Sequence, residues 1–210
     1  MLKLDVNSAK SADNINAQIR ESGKYIGTIT RAEMLISSKG TMGLGLSFKT
    51  DDGSTANYLD LYTINANGED LPSAKTANAI MACLKLREAK NSEITVEKYN
   101  SETKLTEYVK VQGYPELMNK RIGFLLQKEL TVYEGKDQER LNIFGVFQAD
   151  TELTASEILE KKTSPEKLPK MLEQLMIRPI RDSRNKSVQN KATNSTANFS
   201  SAEFDESIPF

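Results

Sequence analysis

The stretch from Thr41 to Thr63 leaves little freedom in how it can fold. From Thr41 to Lys49, the residues Met42, Leu44, Leu46 and Phe48 alternate with Gly43, Gly45, Ser47 and Lys49. Residues two apart share one face of a strand, so this spacing predicts a strand with one apolar and one open face. Asp51-Asp52-Gly53 then gives a tight hairpin signal. Alternation resumes from Thr55 to Thr63, with Leu59 and Leu61 on one face and Tyr58, Asp60 and Tyr62 on the other. Upstream, Lys24 to Ile36 is rich in β-branched and aromatic residues, and Ser37-Ser38-Lys39-Gly40 marks a turn. The expectation is an antiparallel meander with one buried face and one open face.

The period then changes. Ser73, after Pro72, is a plausible N-cap, and Ala77, Ile80, Met81, Leu84 and Leu86 fall near helical spacing, which predicts a helix over 74–89. Strand patterns return as two hairpins. One runs from Ile94 to Tyr99 and from Lys104 to Val111, closed at Asn100-Ser101. The other runs from Arg121 to Tyr133 and from Arg140 to Gln148, closed by Glu134-Gly135-Lys136-Asp137. Thr151 to Ile177 reads as helical or irregular, with Pro165 and Pro169 keeping any helix short. Pro179 ends the ordered pattern, and Asn, Ser, Thr, Ala and Lys dominate the chain beyond Arg181. Such a stretch buries too little apolar surface to offset its ordering entropy. The division expected is an arm over 1–22, a mainly β domain over 23–177, a disordered linker over 178–201 and a distinct tip over 202–210.

Composition removes several chemistries. With no histidine and the single cysteine Cys83, the chain has no Ser-His-Asp or Cys-His nucleophile and no set of four zinc ligands. Cys83 falls among apolar neighbours on the predicted helix and reads as core. Gly43 and Gly45 lie inside a strand, so they form no phosphate loop; they predict a bend or a close backbone approach. Asp51/Asp52 and Glu69/Asp70 sit in turns, where acids serve the backbone. The expectation is a non-enzymatic protein without cofactor or metal. The 28 basic and 29 acidic residues nearly balance, which argues against histone-like coating of DNA but leaves local basic patches open. No run approaches a membrane span and the N-terminus lacks a leader pattern, so a cytoplasmic protein is expected.

The last nine residues break the linker's composition. Phe204, Ile208 and Phe210 are apolar, Glu203, Asp205 and Glu206 are acidic, and Pro209 stiffens the backbone before the end. A terminal ring of this kind can enter an apolar pocket while the acids meet Arg or Lys at its rim. Asp205, Glu206, Ile208, Pro209 and Phe210 resemble the C-terminal tip of bacterial single-stranded-DNA-binding proteins, in which acidic residues precede Ile-Pro-Phe. Ser207 departs from that pattern, where an acid is usual. The body lacks the usual N-terminal motif and has no tryptophan, so the resemblance points to the bacteriophage or prophage type. It implies an OB-like antiparallel Greek-key barrel with one inserted helix, short C-terminal helices and a disordered tail. It further implies coating of single-stranded DNA in a bacterial host cell, and recruitment of replication, recombination or repair proteins through the tip.

Single-strand binding needs aromatic platforms for bases and cations along the phosphates. Tyr58 and Tyr62 share the polar face of their strand. Tyr99 and Tyr108 lie opposite Val96 and Val109, beside Lys98, Lys104 and Lys110. Tyr25 adjoins Lys24 in a strand that also carries Arg31, and Lys39 and Lys49 flank the second strand. Each tyrosine taken singly also fits an amphipathic strand residue with a half-buried ring. A homo-oligomer is compatible with this pattern. Two rival functions remain at this level. One is an interaction protein that occupies host docking pockets with the tip and never touches DNA. The other is a magnesium-dependent nuclease or recombination protein built on carboxylates.

Overall fold

The computed structural model describes residues 18–100, 103 and 105–184. The described elements run β1 (Gly23–Ile36), β2 (Met42–Thr50), β3 (Thr55–Ile64), α1 (Ser73–Cys83), β4 (Ser92–Asn100), β5 (Leu105–Gly113), β6 (Arg121–Tyr133), β7 (Lys136–Phe147), α2 (Ala155–Leu159), α3 (Lys167–Ile177) and β8 (Ile180–Asp182). The chain is mainly β, and its strands form one sheet that is antiparallel except where β8 joins β6. Among the described residues no helix is long and apolar enough to cross a membrane.

The meander forms as the alternation predicts. Leu44, Leu46 and Phe48 of β2 and Leu59 and Leu61 of β3 are buried with Ile29 and Ala32 of β1. They pack on Ile122, Phe124 and Leu126 of β6 and on Ile80 and Cys83 of α1. Phe48 meets Phe124 edge-to-face, with centroids 5.0 Å apart. Leu125, on the opposite side of β6, joins Phe147 and Leu168 and Leu175 of α3 in a second, smaller core.

β1 serves two neighbours along its length. Its first half pairs with β6, Gly23 to Leu126 through Thr28 to Arg121. From Gly27 onward it pairs with β2. Gly27 stands in both ladders, and a Cβ there would lie 2.1 Å from the Lys49 carbonyl oxygen, so only glycine lets three backbones meet.

The sheet does not close. β3 and β7 carry no backbone pairing to each other, and α1 packs against both of them across the gap. The described strands thus form an open antiparallel sheet with a helix at its seam.

Four expectations are corrected. The helix ends at Cys83 instead of Ala89, because Lys85 takes a left-handed conformation (φ 56°). The Lys85 and Leu86 amides then donate to the carbonyls of Ala82 and Met81, closing the helix as a Schellman motif. Ser73 is the first helical residue instead of the cap; Pro72 holds the cap position with no side-chain hydrogen bond. β7 starts at Lys136, since Glu134 (φ 51°) and Gly135 (φ 77°) alone make a two-residue turn. Order also continues past Pro179, where β8 runs parallel to β6. There Glu129, 2% exposed, accepts hydrogen bonds from Ser183 at 2.5 Å and Arg140 at 2.6 Å. The remainder of the expected linker and the whole 202–210 tip lie outside the described residues.

The face of β2 expected to be open is partly covered. Gly43, Gly45 and Ser47 are buried, with Leu35 folded across Gly45.

Candidate nucleic-acid interface

Ser47 lies where both neighbours of β2 slip register. On β1, Ile29 faces Phe48 and Arg31 faces Ser47, leaving Thr30 as an extra residue. On β3, Ala56 faces Phe48 and Leu59 faces Leu46, so Asn57 and Tyr58 together oppose Ser47. Each bulge places two consecutive residues outward between inward ones and turns the local chain more sharply. The β3 bulge puts Tyr58 at φ 60°. A bulky side chain in that region is strained by about 1–3 kcal/mol.

The two bulges aim Arg31 and Tyr58 into a cleft of about 530 Å³ floored by Ser47. The β4–β5 hairpin supplies the other wall, with Lys98, Tyr99 and Tyr108. Tyr58 is 66% exposed and Tyr108 75%. Their rings are thus available. The Arg31 guanidinium lies 5.4 Å from the Tyr58 ring centroid, within cation–π range.

Glu33 of β1 organises the cations. Its carboxylate is buried, accepts Lys98 at 2.6 Å and lies 3.6 Å from Arg31. The Lys98 bridge ties the hairpin to the main sheet across the cleft. The Arg31 Nε remains buried without a hydrogen-bond partner. A buried donor left unpaired costs about 1–3 kcal/mol. Tyr108 donates to Glu97 at 2.8 Å, which holds its hydroxyl proton and raises its pKa while leaving the ring face outward. With Arg31 and Lys98 against Glu33 and Glu97, the cleft is neutral in sum. Any attraction for phosphate here comes from placed donors instead of bulk charge.

Five of the twelve candidates therefore converge: Arg31, Tyr58, Lys98, Tyr99 and Tyr108. Tyr62 is exposed on the same face of β3 as Tyr58 but does not line the cleft. Lys49 is exposed at the end of β2, and Lys39 lies in the turn after β1. Lys24 is committed elsewhere: it pairs with Glu152 and sits 5.4 Å from the Phe147 ring centroid. Tyr25 is half-buried against the main core and donates to the Glu21 carbonyl at 2.9 Å; burial raises its pKa. Lys110 shares the hairpin face of Tyr108 but pairs with Glu93 at 2.7 Å and does not line the cleft. Lys104 and the tip residues Asp205, Glu206, Ile208, Pro209 and Phe210 lie outside the described residues.

Sequence reasoning missed a second cleft of about 480 Å³ on the other side of Tyr58, lined by Arg20, Asn57, Lys128, Gln138 and Arg140. No periodicity marks these residues, because they come from four separate segments that the fold brings together. A larger hollow of about 720 Å³ lies between Phe144, α3 and β8. Phe144 is partly exposed there. That hollow holds none of the candidates, and its rim cation Arg181 is already drawn to Glu129 at 3.4 Å. Among the described residues no group of three or more acids and cysteines is placed to hold a metal ion. No protein-family model matches the chain, and no curated protein matches its sequence.

Proposed function

We propose that this protein binds single-stranded DNA with little sequence preference, through the cleft between β3 and the β4–β5 hairpin. Bases stack on Tyr58, Tyr99 and Tyr108, while Arg31 and Lys98 donate to phosphate oxygens. Stacking tolerates any base, because every base has a π-face. The observation that carries this reading is the convergence of three exposed tyrosine rings on one cleft that also holds Arg31 and Lys98. The bulge strain at Tyr58 supports it, since a ring held in a disfavoured backbone state is placed for a purpose beyond packing.

The strand path supports an open OB-like barrel as the scaffold. β1 pairs with both β2 and β6, α1 lies between β3 and the later strands, and β7 approaches β3 without pairing. The β4–β5 hairpin is then an insertion that adds a wall to the binding face. In this reading the protein is not an enzyme and acts in the cytoplasm of a bacterial host, as a phage-type protein. It protects single strands, and the tip of Asp205, Glu206, Ile208, Pro209 and Phe210 recruits replication, recombination or repair proteins.

Fluorescence-anisotropy titration of labelled oligo-dT tests the reading directly. Wild type and a form lacking residues 202–210 are both expected to bind, with binding weakened by salt. Lack of binding by both forms would overturn the DNA function and leave the tip-only interaction protein in its place.

A further inference from the structure

Tyr58 belongs to two clefts at once. Asn57 and Tyr58, the paired residues of the β3 bulge, line both the tyrosine cleft and the hollow beyond it. The bulge therefore forms a saddle between two depressions instead of the edge of one. On the far side, Arg20 is exposed and makes no hydrogen bond or ion pair among the described residues. Lys128 lies there with most of its side chain buried, held by Glu139 at 3.0 Å and Glu21 at 3.7 Å. Arg140 gives its Nε to buried Glu129 yet keeps its side chain 59% exposed. Gln138 and Asn57, both exposed, add amide donors. Asp60, next outward residue on β3, has its carboxyl raised by desolvation despite Arg31 from one side and Arg140 from the other, which places cations of both clefts near one strand. The first cleft is rich in rings; the second has three cations, of which Lys128 and Arg140 already hold carboxylates while Arg20 holds none among the described residues, and no ring but Tyr58. That division matches the two parts of a nucleotide chain, bases and phosphodiester.

We propose that the strand-binding surface continues over Tyr58 into this second cleft, which takes the phosphodiester backbone of the nucleotides flanking those stacked in the first. The proposal rests on the reading of the first cleft given above. Tyr58 then acts as the pivot of a continuous groove, and Arg20, Lys128 and Arg140 form its backbone-holding end.

The test compares affinities for oligo-dT of about 4 and about 12 nucleotides, the shorter filling one cleft and the longer spanning both. Full-length protein is used, with two variants at exposed positions, Arg20→Glu and Glu139→Gln. Arg20→Glu is expected to lower the long-to-short affinity ratio roughly tenfold, as loss and reversal of one phosphate contact would. Glu139→Gln releases Lys128 and is expected to raise the ratio. A ratio that stays unchanged in either variant overturns the second subsite while leaving the first intact. Failure of wild type to bind either oligonucleotide overturns the first-cleft reading and the second with it.

Discussion

At the scale of single residues, Tyr58 separates function from stability. Its φ of 60° suits glycine and strains a tyrosine. Tyr58→Gly is therefore expected to leave the midpoint of urea unfolding unchanged or slightly raised. The same change removes the proposed stacking platform and should weaken oligo-dT binding by about 1–3 kcal/mol, roughly five- to 150-fold. A large loss of stability without loss of affinity would mark the ring as a packing residue. Glu157 gives the opposite case, a carboxylate that serves structure only. Burial pushes its pKa up, but hydrogen bonds from Thr154 and from the backbone amides of Lys167 and Glu166 outweigh that and hold it at about 2. One carboxylate thus caps the starts of both α2 and α3. Its folded pKa lies below the unfolded value, so its contribution is present above about pH 4.5 and is lost as pH falls toward 2. Glu157→Ala should cost about 2–4 kcal/mol near neutrality. That deficit should shrink in acid, measured by urea melts at several pH values.

At the scale of elements, alternation made the meander legible because one face of each strand is buried and a one-residue slip would expose it. The same logic hid the bulges. Thr30 is an ordinary strand residue, and although Asn57 is a residue type depleted in strands, neither identity by itself announces an extra residue in the ladder. Arg31 and Tyr58 could be listed from the sequence, but their meeting beside Ser47 could not. The α1 boundary was missed for a similar reason: Leu84 and Leu86 continue the apolar pattern, while the left-handed turn at Lys85 uses a residue without that preference. The meeting of β1 with β2 and β6 at Gly27 is a point of little tolerance. A methyl group there would overlap the Lys49 carbonyl and the Thr50 Cα, which belong to backbone and cannot rotate away. Gly27→Ala should destabilise the protein by about 3 kcal/mol, read as a lowered denaturation midpoint. A near-neutral outcome would mean the ladders can part.

At the scale of the whole molecule, near-zero net charge gave no sign of a groove; the fold creates one by gathering Arg20, Arg31, Lys98, Lys128 and Arg140 from distant segments. Counterion release gives a slope of about −0.7 per neutralised phosphate on single strands, so five contacts would set a limit near −3.5 in a plot of log K against log salt. Lys98, Lys128 and Arg140 already hold carboxylates. The expected slope is therefore shallower than that limit, and a steeper one would require cations outside both clefts. The hairpin adds a different consequence. It meets the sheet through the single pair Glu33 and Gly113, with the Tyr114 amide to Ala32 and the Lys98 bridge alongside. Side chains along β5 from Leu105 to Lys110 are exposed throughout. With only Ile94 and Val96 of β4 buried, the outer part of this two-stranded ribbon is expected to open as a unit of its own, at a free energy well below that of the global transition. Its amides should trade hydrogen for deuterium together and long before those of β2. Filling the cleft with a DNA strand would then slow the ribbon's exchange more than that of any other part of the molecule.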